Sequence, residues 1–385
     1  MKRRVLVVAG WYPSPVHPLD GIFVRDHALA AARVADVVVV AIRRGLAARG
    51  RCVAVEDVVE DGLRVVRVRV TDRVPEPLGF ILYLPALARV VRRLRRQGFV
   101  PDVVHGHVFA AGVVAVLVGR MLGIPAIVSE HFSYVHLGRL GRGQRILARG
   151  AYRSATIVCP VSESLRRTIA MLAPRARMRI VPNPVDARLF SPGAAPASDG
   201  PPRALFVGLL DEVKGVDALL RAVAILRDSG RSLRLTIVGD GPRRGEYEAL
   251  ALAQGLDGDA VSFAGALPRA KVAEAMRAAD LFVLPSMSET FGTVVAESLC
   301  SGLPVVATAV GALPELVGSQ DGTLVPSGDD VALADGIATT VDGLADFDRD
   351  AIAARARERF GLDAVAARWG EVYDEALSLR SRRGT

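Results

Sequence analysis

Two carboxylates stand eight positions apart around a Phe-Gly and an apolar run in Ser288-Glu289-Thr290-Phe291-Gly292-Thr293-Val294-Val295-Ala296-Glu297-Ser298. Leu281 to Pro285 ahead of them reads as a strand, Ser286 to Gly292 as a loop, and Thr293 to Ser301 as a helix stopped by Gly302. A helix that begins near Gly292 or Thr293 offers unsatisfied backbone N–H groups and a positive dipole end, which favour a phosphate there. Glu289 then lies ahead of that phosphate and Glu297 about one turn inside the helix. Eight helical residues at ~1.5 Å rise span roughly 12 Å, so the pair could hold hydroxyls at opposite ends of one ligand the size of a nucleotide-sugar. Two solvated glutamates on an ordinary helix edge fit the same spacing.

Two other strand-to-helix turns have phosphate-like chemistry. Ala204 to Val207 runs into Gly208-Leu209-Leu210-Asp211-Glu212-Val213-Lys214-Gly215, where a glycine that admits close backbone approach, a lysine and a helix start make an anion site or a plain solvated turn. Arg234 to Val238 ends in Gly239-Asp240-Gly241-Pro242, whose glycines supply positive φ and whose proline suits a helix start; taken singly, this is a tight turn.

The elements that must carry these turns recur along the chain. Val5 to Val8, Val37 to Ile42, Leu63 to Val70, Val103 to His105, Ala126 to Ser129 and Thr156 to Cys159 are short Val-rich runs. They are separated by segments of helical period, among them Val24 to Arg33, Leu84 to Arg96 and Val108 to Leu122. Strands apolar on both faces that alternate with helices predict a parallel, doubly wound α/β sheet. The Pro- and Gly-rich stretch Ser191 to Arg203 reads as a boundary loop. The alternation then restarts with strands 204–207, 234–238, 261–263, 281–284, 305–307 and 323–325, and helices 216–228, 244–254, 269–279, 293–301 and 313–316. Two α/β domains in tandem are expected, as 385 residues also suggest.

Composition narrows the class further. Hydrophobic residues make up 51% and charged residues 23%, which excludes a disordered chain. The formal charge of +8 comes from 49 basic against 41 acidic residues. It suits phosphate ligands or an anionic membrane surface, while no helix-turn-helix, zinc or RNP-like pattern supports nucleic acid. Cys52, Cys159 and Cys300 are scattered, with no metal-ligand spacing, and fit a reducing cytoplasm. The apolar run Val5 to Gly10 is too short for a signal peptide and reads as a buried strand. No run of 18 apolar residues is present.

The sequence from Ala204 to Val325, with FVGLLDEVKG, IVGDGP, VSFAGALP, ADLFVLPSMSETFGTVVAESLCSGLPVVAT and GTLVPSGD in that order, resembles the donor-binding domain of the retaining, family 4 glycosyltransferases. WYPSPVHPLDGIFVRDH, DVVHGH, IPAIVSEHFS and VPNPVDARLF extend the resemblance over nearly the whole chain. It implies the α/β GT-B fold, two doubly wound Rossmann-like domains facing across a cleft. Residues 1–188 plus 364–385 would form the acceptor-side domain with a crossover helix within 362–379, and 189–363 the donor-binding domain.

The resemblance also implies roles. Glu297 would bind ribose hydroxyls, Glu289 would face the transferred sugar, and the backbone of Phe291, Gly292 and Thr293 would hold sugar and phosphates. Lys214 would clamp the diphosphate within the turns of Gly208, Gly239 and Gly241. Gly21 would belong to a glycine loop over the donor phosphates, and His131 would lie near the sugar, with His27 and His136 left to packing or surface roles. Leu209 replaces an arginine that the family often carries, so leaving-group charge would rest on Lys214 and helix N-termini, with or without another arginine.

The implied reaction moves a sugar from a nucleoside diphosphate sugar to an acceptor hydroxyl on a glycan or lipid-linked glycan, with retention, no metal and no cofactor. A retaining glycosidase would need its carboxyls about 5 Å apart, closer than this spacing suggests, and a non-catalytic nucleotide-sugar-binding protein that scaffolds a partner is the alternative. Segment 87–97, with Arg89, Arg92, Arg93, Arg95 and Arg96 among apolar residues, is expected either to attach peripherally to the inner face of an anionic membrane or to be a solvated face.

Overall fold

The structure, a computed structural model, describes residues 2–17, 20–44, 53–71, 76–193, 200–256 and 258–381. Cys52 and the middle of the 191–203 loop fall outside them. The chain divides into two compact units, Met1–Pro184 with Leu362–Thr385, and Val185–Gly361. The two chain crossings adjoin: Val185 N donates to Phe360 O at 2.8 Å and Val185 bridges Gly361. The described break points are therefore 184/185 and 361/362, rather than 188/189 and 363/364.

The first unit contains β1 (Arg3–Ala9), α1 (Ile22–Val34), β2 (Ala35–Arg44), β3 (Val53–Glu60), β4 (Leu63–Val70), α2 (Glu76–Arg96), β5 (Val103–His107), α3 (Val108–Leu122), β6 (Ala126–Glu130), α4 (Ser133–His136), α5 (Arg142–Ser154), β7 (Ile157–Pro160) and α6 (Glu163–Leu172). Its sheet runs β3-β4-β2-β1-β5-β6-β7, parallel except where β3 pairs antiparallel with β4. The central strands are apolar on both faces because helices cover both. Val5, Val7, Val37 and Val39 pack towards α1, and Leu6, Val8, Val38 and Val40 towards α2 and α3. β3 was absent from the sequence reading: its burial is partial and its pattern irregular, as suits an edge strand.

The second unit contains β8 (Arg203–Val207), α7 (Val216–Asp228), β9 (Arg234–Val238), α8 (Arg244–Ala253), β10 (Val261–Gly265), α9 (Arg269–Ala278), β11 (Leu281–Leu284), α10 (Thr293–Cys300), β12 (Val305–Thr308), α11 (Leu313–Leu316), β13 (Gly322–Val325), α12 (Asp330–Asp342) and α13 (Arg349–Phe360). Its sheet, β10-β9-β8-β11-β12-β13, is wholly parallel. The last helix, α14 (Leu362–Ser381), belongs to the first unit, where Val365, Trp369, Val372 and Tyr373 are buried in the core shared with α1. Arg3 of β1 pairs with Asp374 of α14.

Both sheets reverse strand order once, between β1 and β5 and between β8 and β11. Ligands of open parallel sheets bind beyond the strand carboxyl ends at such points. The turns singled out in the sequence follow these strands.

The basic segment 87–97 meets a different fate from an in-plane membrane helix. Leu87, Val90, Val91 and Leu94 are 0–5% exposed and belong to the core beneath β1 and β2. Insertion into a bilayer interface needs a free apolar face, and here that face is already covered. The arginines remain outside, Arg93 pairing with Asp57 at 3.2 Å. Among the described residues no helix is long and apolar enough to cross a membrane.

Candidate active site

In the second unit the turns after β8 and β9 are built backbone against backbone. Gly208 N donates to Val238 O at 3.0 Å, and Gly239 N to Gly265 O at 2.8 Å. Gly239 has φ +139°, and a Cβ there would lie 1.8 Å from Gly208 O, so only glycine fits. Gly241 packs on the backbone of Leu210 in the same way. The sequence turns therefore close into one surface with Gly208 and Gly239 in contact.

Lys214 ends a single 3₁₀ turn, Glu212–Lys214, held by the Asp211 side chain, which accepts from Lys214 N at 3.2 Å. This turn points the lysine across the switch point to the loop after β11. Lys214 Nζ donates to Glu289 Oε1 at 2.6 Å, and Ser286 Oγ donates to the same oxygen at 2.9 Å. Met287 N donates to Val213 O at 2.7 Å and Ala312 N to Glu289 O at 3.1 Å, which tie the loop at both sides. Both charged side chains are largely shielded, at 23% exposure for Lys214 and 9% for Glu289.

Glu297, on α10, is partnered elsewhere: Arg269 of α9 donates from Nη2 to its Oε1 at 2.7 Å. Arg269 lies over the ring of Phe190, its guanidinium carbon 5.3 Å from the centroid. The two glutamates are thus held by different cations. Gly292, in a left-handed conformation, precedes α10 and has no side chain to occupy the first-turn N–H groups. Phe291 is buried edge-on to Phe360, at 5.7 Å, and Thr293 opens the helix.

In the first unit Gly21 has φ +68° and precedes α1, and a Cβ there would meet Trp11 C and O at 2.4 Å. Phe23, two residues on, packs its ring 4.7 Å from that of His131. His131, itself half-buried, joins a chain of rings that is otherwise buried. Trp369 Nε1 donates to His27 Nδ1 at 3.2 Å; His27 Nε2 lies 3.1 Å and His131 Nδ1 3.0 Å from Asn183 Oδ1; His131 Nε2 lies 3.1 Å from His107 Nδ1. His105 stacks on His107 at 4.3 Å and bonds Ser129 and Tyr373.

Burial pushes all four histidines down: His27 to about 4, His105 to about 3, and His107 and His131 well below the usual imidazole value. The cluster is neutral at pH 7. Beside it, the fully buried Glu130 accepts from the backbone N–H groups of Phe109, His131 and Phe132, each at 2.9 Å, and from Tyr152 Oη at 2.6 Å. Burial raises its pKa despite these four donors.

The expected residues therefore fall into two groups. Gly208, Lys214, Gly239, Gly241, Glu289, Phe291, Gly292, Thr293 and Glu297 belong to the second unit, and Gly21 and His131 to the first. His27 takes a packing role at 1% exposure. The sequence reading missed Arg269, Ser286, Glu130, Asn183 and Trp369, although Glu130 and Asn183 lie inside the quoted SEHFS and VPNPVD stretches.

This architecture defines a class: tandem doubly wound units with a lysine and paired glutamates at one switch point and a buried polar cluster near the other. The fold matches solved GT-B structures. Sucrose-phosphate synthase from Thermosynechococcus elongatus superposes with a TM-score of 0.77 at 22% identity over 98% of this chain and 100% of that one. Anabaena Alr3699/HepE in complex with UDP and glucose gives 0.73 at 19% identity over 97% and 99%.

Residues 201–342 match the family model described as glycosyl transferases group 1, and residues 27–184 that of the glycosyl transferase 4-like domain. The D-inositol 3-phosphate glycosyltransferase of Streptomyces griseus is 31% identical over 332 residues, covering 75% of this chain and 70% of the relative. The 2-deoxystreptamine glucosyltransferase of Streptomyces kanamyceticus is 31% identical over 291 residues, 70% and 72%. The chain belongs to the group 1 glycosyltransferases, with a family 4-like N-terminal domain.

Proposed function

We propose that the protein transfers a sugar from a nucleoside diphosphate sugar to an acceptor hydroxyl with retention of configuration, using no metal. The observation that carries the reading is the Lys214–Glu289–Ser286 cluster at the second switch point, beside glycine turns that only backbone can approach closely. In this reading Lys214 and the first-turn amides of α10 meet the charge that grows on the departing diphosphate, which makes them stronger in the transition state than in the ground state. Glu289 faces the transferred sugar and Glu297 the ribose, each poised by its cation. Gly21 and His131 act from the first unit.

UDP is the first donor nucleotide to test, because Anabaena Alr3699/HepE is described with UDP-glucose. The acceptor is proposed to be a polyol or glycan hydroxyl, with lipid-linked glycans of cell-surface polymers among the candidates. Peripheral attachment to the inner face of an anionic membrane is kept only as an electrostatic proposal, through the exposed Arg89, Arg92, Arg95 and Arg96. Leu209, 55% exposed where the family often carries an arginine, favours a second reading, a non-catalytic nucleotide-sugar-binding scaffold.

The test is a thermal-shift series with UDP-, GDP- and ADP-sugars, followed by release of nucleoside diphosphate with and without chelator. A donor at 100 times its Kd stabilises by about 2.7 kcal/mol. Binding without turnover, unchanged in Glu289→Ala, would select the scaffold; no shift with any donor would overturn both readings.

A further inference from the structure

The end of the first unit opposite to its switch point carries a cavity of about 620 Å³. Ala126, which opens β6, and Thr156, just before β7, line it, whereas His131 follows the far end of β6. At ~3.3 Å per strand residue the cavity lies roughly 16 Å from His131. Its other borders are the last turns of α3 and α5, the loop after α6 and the end of α14.

Five arginines line this space, Arg120, Arg153, Arg175, Arg177 and Arg380, and among its described lining residues there is no Asp or Glu. Over the whole chain basic and acidic residues are close to balanced, 49 against 41. The lining is therefore a local concentration of one sign rather than a reflection of composition. Small residues leave room between the arginines: Gly119, Gly123, Ala126 and Ala155 lie there, and a Cβ on Gly123 would meet no atom within 4 Å.

Arginines in a last helical turn commonly offset the helix dipole, and Arg120, Arg153 and Arg380 stand in the last turns of α3, α5 and α14. Each helix end supplies about half a negative charge. Glu375 adds one more, shared between Arg177 and Arg179, each at 2.9 Å. Together these offset about half of the five positive charges and leave an excess of roughly +2.5. Arg120 is steadied by a neutral group, its Nη2 donating to Ser154 Oγ at 3.1 Å. Arg153, Arg175 and Arg380 have no ion-pair partner among the described residues. Like charges gathered in this way repel one another, and a bound anion removes that cost. Guanidinium groups suit phosphate oxygens in particular, through paired N–H donors in one plane.

We propose that this cavity is an accessory anion site that takes a diphosphate or bisphosphate group, held by Arg120, Arg153, Arg175 and Arg380. None of these residues belongs to the candidate active site, so the proposal stands apart from the glycosyltransferase reading. The group can arrive on a free small molecule or on a lipid headgroup, and the two sources are separable.

The test titrates inorganic pyrophosphate into the full-length protein by calorimetry at about 0.15 M ionic strength, where charges are screened beyond ~8 Å. A second arm sediments the protein with phosphatidylcholine vesicles made with and without cardiolipin, whose headgroup carries two phosphates. Saturable binding of pyrophosphate is expected in the wild type and in Lys214→Met, which lacks the ammonium of the candidate active site. The triple variant Arg153→Gln, Arg175→Gln, Arg380→Gln should weaken it about tenfold or more at an unchanged melting temperature, and Arg153→Gln and Arg175→Gln singly about threefold each. Arg92→Gln, Arg95→Gln, Arg96→Gln on α2 removes the same charge from exposed side chains elsewhere and should leave the affinity within about twofold.

Cardiolipin-dependent sedimentation that disappears in the cavity triple variant would put the phosphates on a lipid headgroup. Loss of pyrophosphate binding in that variant, with sedimentation unaffected, would make the ligand a free phosphate compound. Pyrophosphate affinity unchanged in the cavity triple variant, an equal loss in the α2 variant, binding lost in Lys214→Met, or no binding in either arm would overturn the proposal.

Discussion

Replacing Lys214 by Met removes the ammonium and keeps a side chain of similar length. The backbone turn should survive, because Asp211 caps Lys214 through its main-chain N–H. Glu289 would keep only Ser286 Oγ of the two donors to Oε1, as a carboxylate 9% exposed. Breaking a fully buried pair costs about 3–5 kcal/mol. Lys214 is 23% exposed, so water can replace part of the lost interaction, and about 2 kcal/mol is the expected cost. At roughly 2–4 °C per kcal/mol the melting temperature should fall by about 4–8 °C. The double variant Lys214→Met with Glu289→Gln leaves no uncompensated charge and should recover about half of the loss in a double-mutant cycle. Calorimetry supplies the stabilities, and diphosphate release the activity, expected to drop about 10²–10³-fold in both variants. A single variant as stable as the wild type, or a double variant no better than the sum of the singles, would refute the pairing; near-normal turnover would refute the clamp.

Glu130→Ala strips the acceptor from three backbone N–H groups and a tyrosine hydroxyl, the Phe109 amide and the hydroxyl buried and the other two amides partly so, and urea unfolding should show a loss of at least about 3 kcal/mol. Gly239→Ala forces a methyl group against Gly208 O in a conformation closed to L-residues; a loss above about 2 kcal/mol and a vanished thermal shift with nucleotide-sugar are expected. His27 and His105 have folded pKa values of about 4 and about 3, below the usual 6.5, so the unfolded chain binds more protons between these limits. Their contribution is therefore full above pH 6.5 and is lost as the pH falls towards 4, at up to about 2.7 kcal/mol per pH unit for the two. Urea midpoints that stay level between pH 7 and 5 would contradict this sign.

The α/β alternation was readable because parallel strands covered on both faces are rich in Val, Ile and Leu; Arg234 to Val238 and Leu281 to Leu284 have the expected bounds, as does Leu63 to Val70 despite its three arginines. Helices α5, α6, α12 and α13 went unread although the last three carry ordinary start signals, the side chains of Ser162, Asp329 and Asp348 capping their first turns. Local spacing singled out the glycine turns and the Lys214 and Glu289 positions but fitted plain turns and solvated glutamates as well, and their roles came only from the family resemblance. The pairing was not legible, since Lys214 and Glu289 are 75 positions apart and meet only through the strand order. Arg269 and Trp369 carry no local signal at all: one is a helix-start arginine in an arginine-rich chain, the other an aromatic on an amphipathic helix. The apolar spacing of 87–97 was read correctly as helical, but spacing cannot say whether a bilayer or the protein's own sheet covers the apolar side.

The two units solve their electrostatics in opposite ways, and this limits which residues can serve a diphosphate. The first holds four histidines neutral, and at pH 7 none can offer positive charge without the full cost of charging a buried ring. His131, with both nitrogens engaged, is unsuited to be either an acid or a counter-ion. The second unit keeps its cations charged by matching each with a glutamate, Lys214 with Glu289 and Arg269 with Glu297. A pair held at 2.6–2.7 Å is a store of positive charge that an incoming phosphate can draw on, because the lysine has three donors and the glutamate uses one. In the proposed reading, charge on a leaving diphosphate is met from Lys214 and the α10 amides, since the neutral histidines of the first unit carry none. That division explains why Leu209, in place of an arginine, need not silence the enzyme: the cation most directly poised at the switch point is already in place.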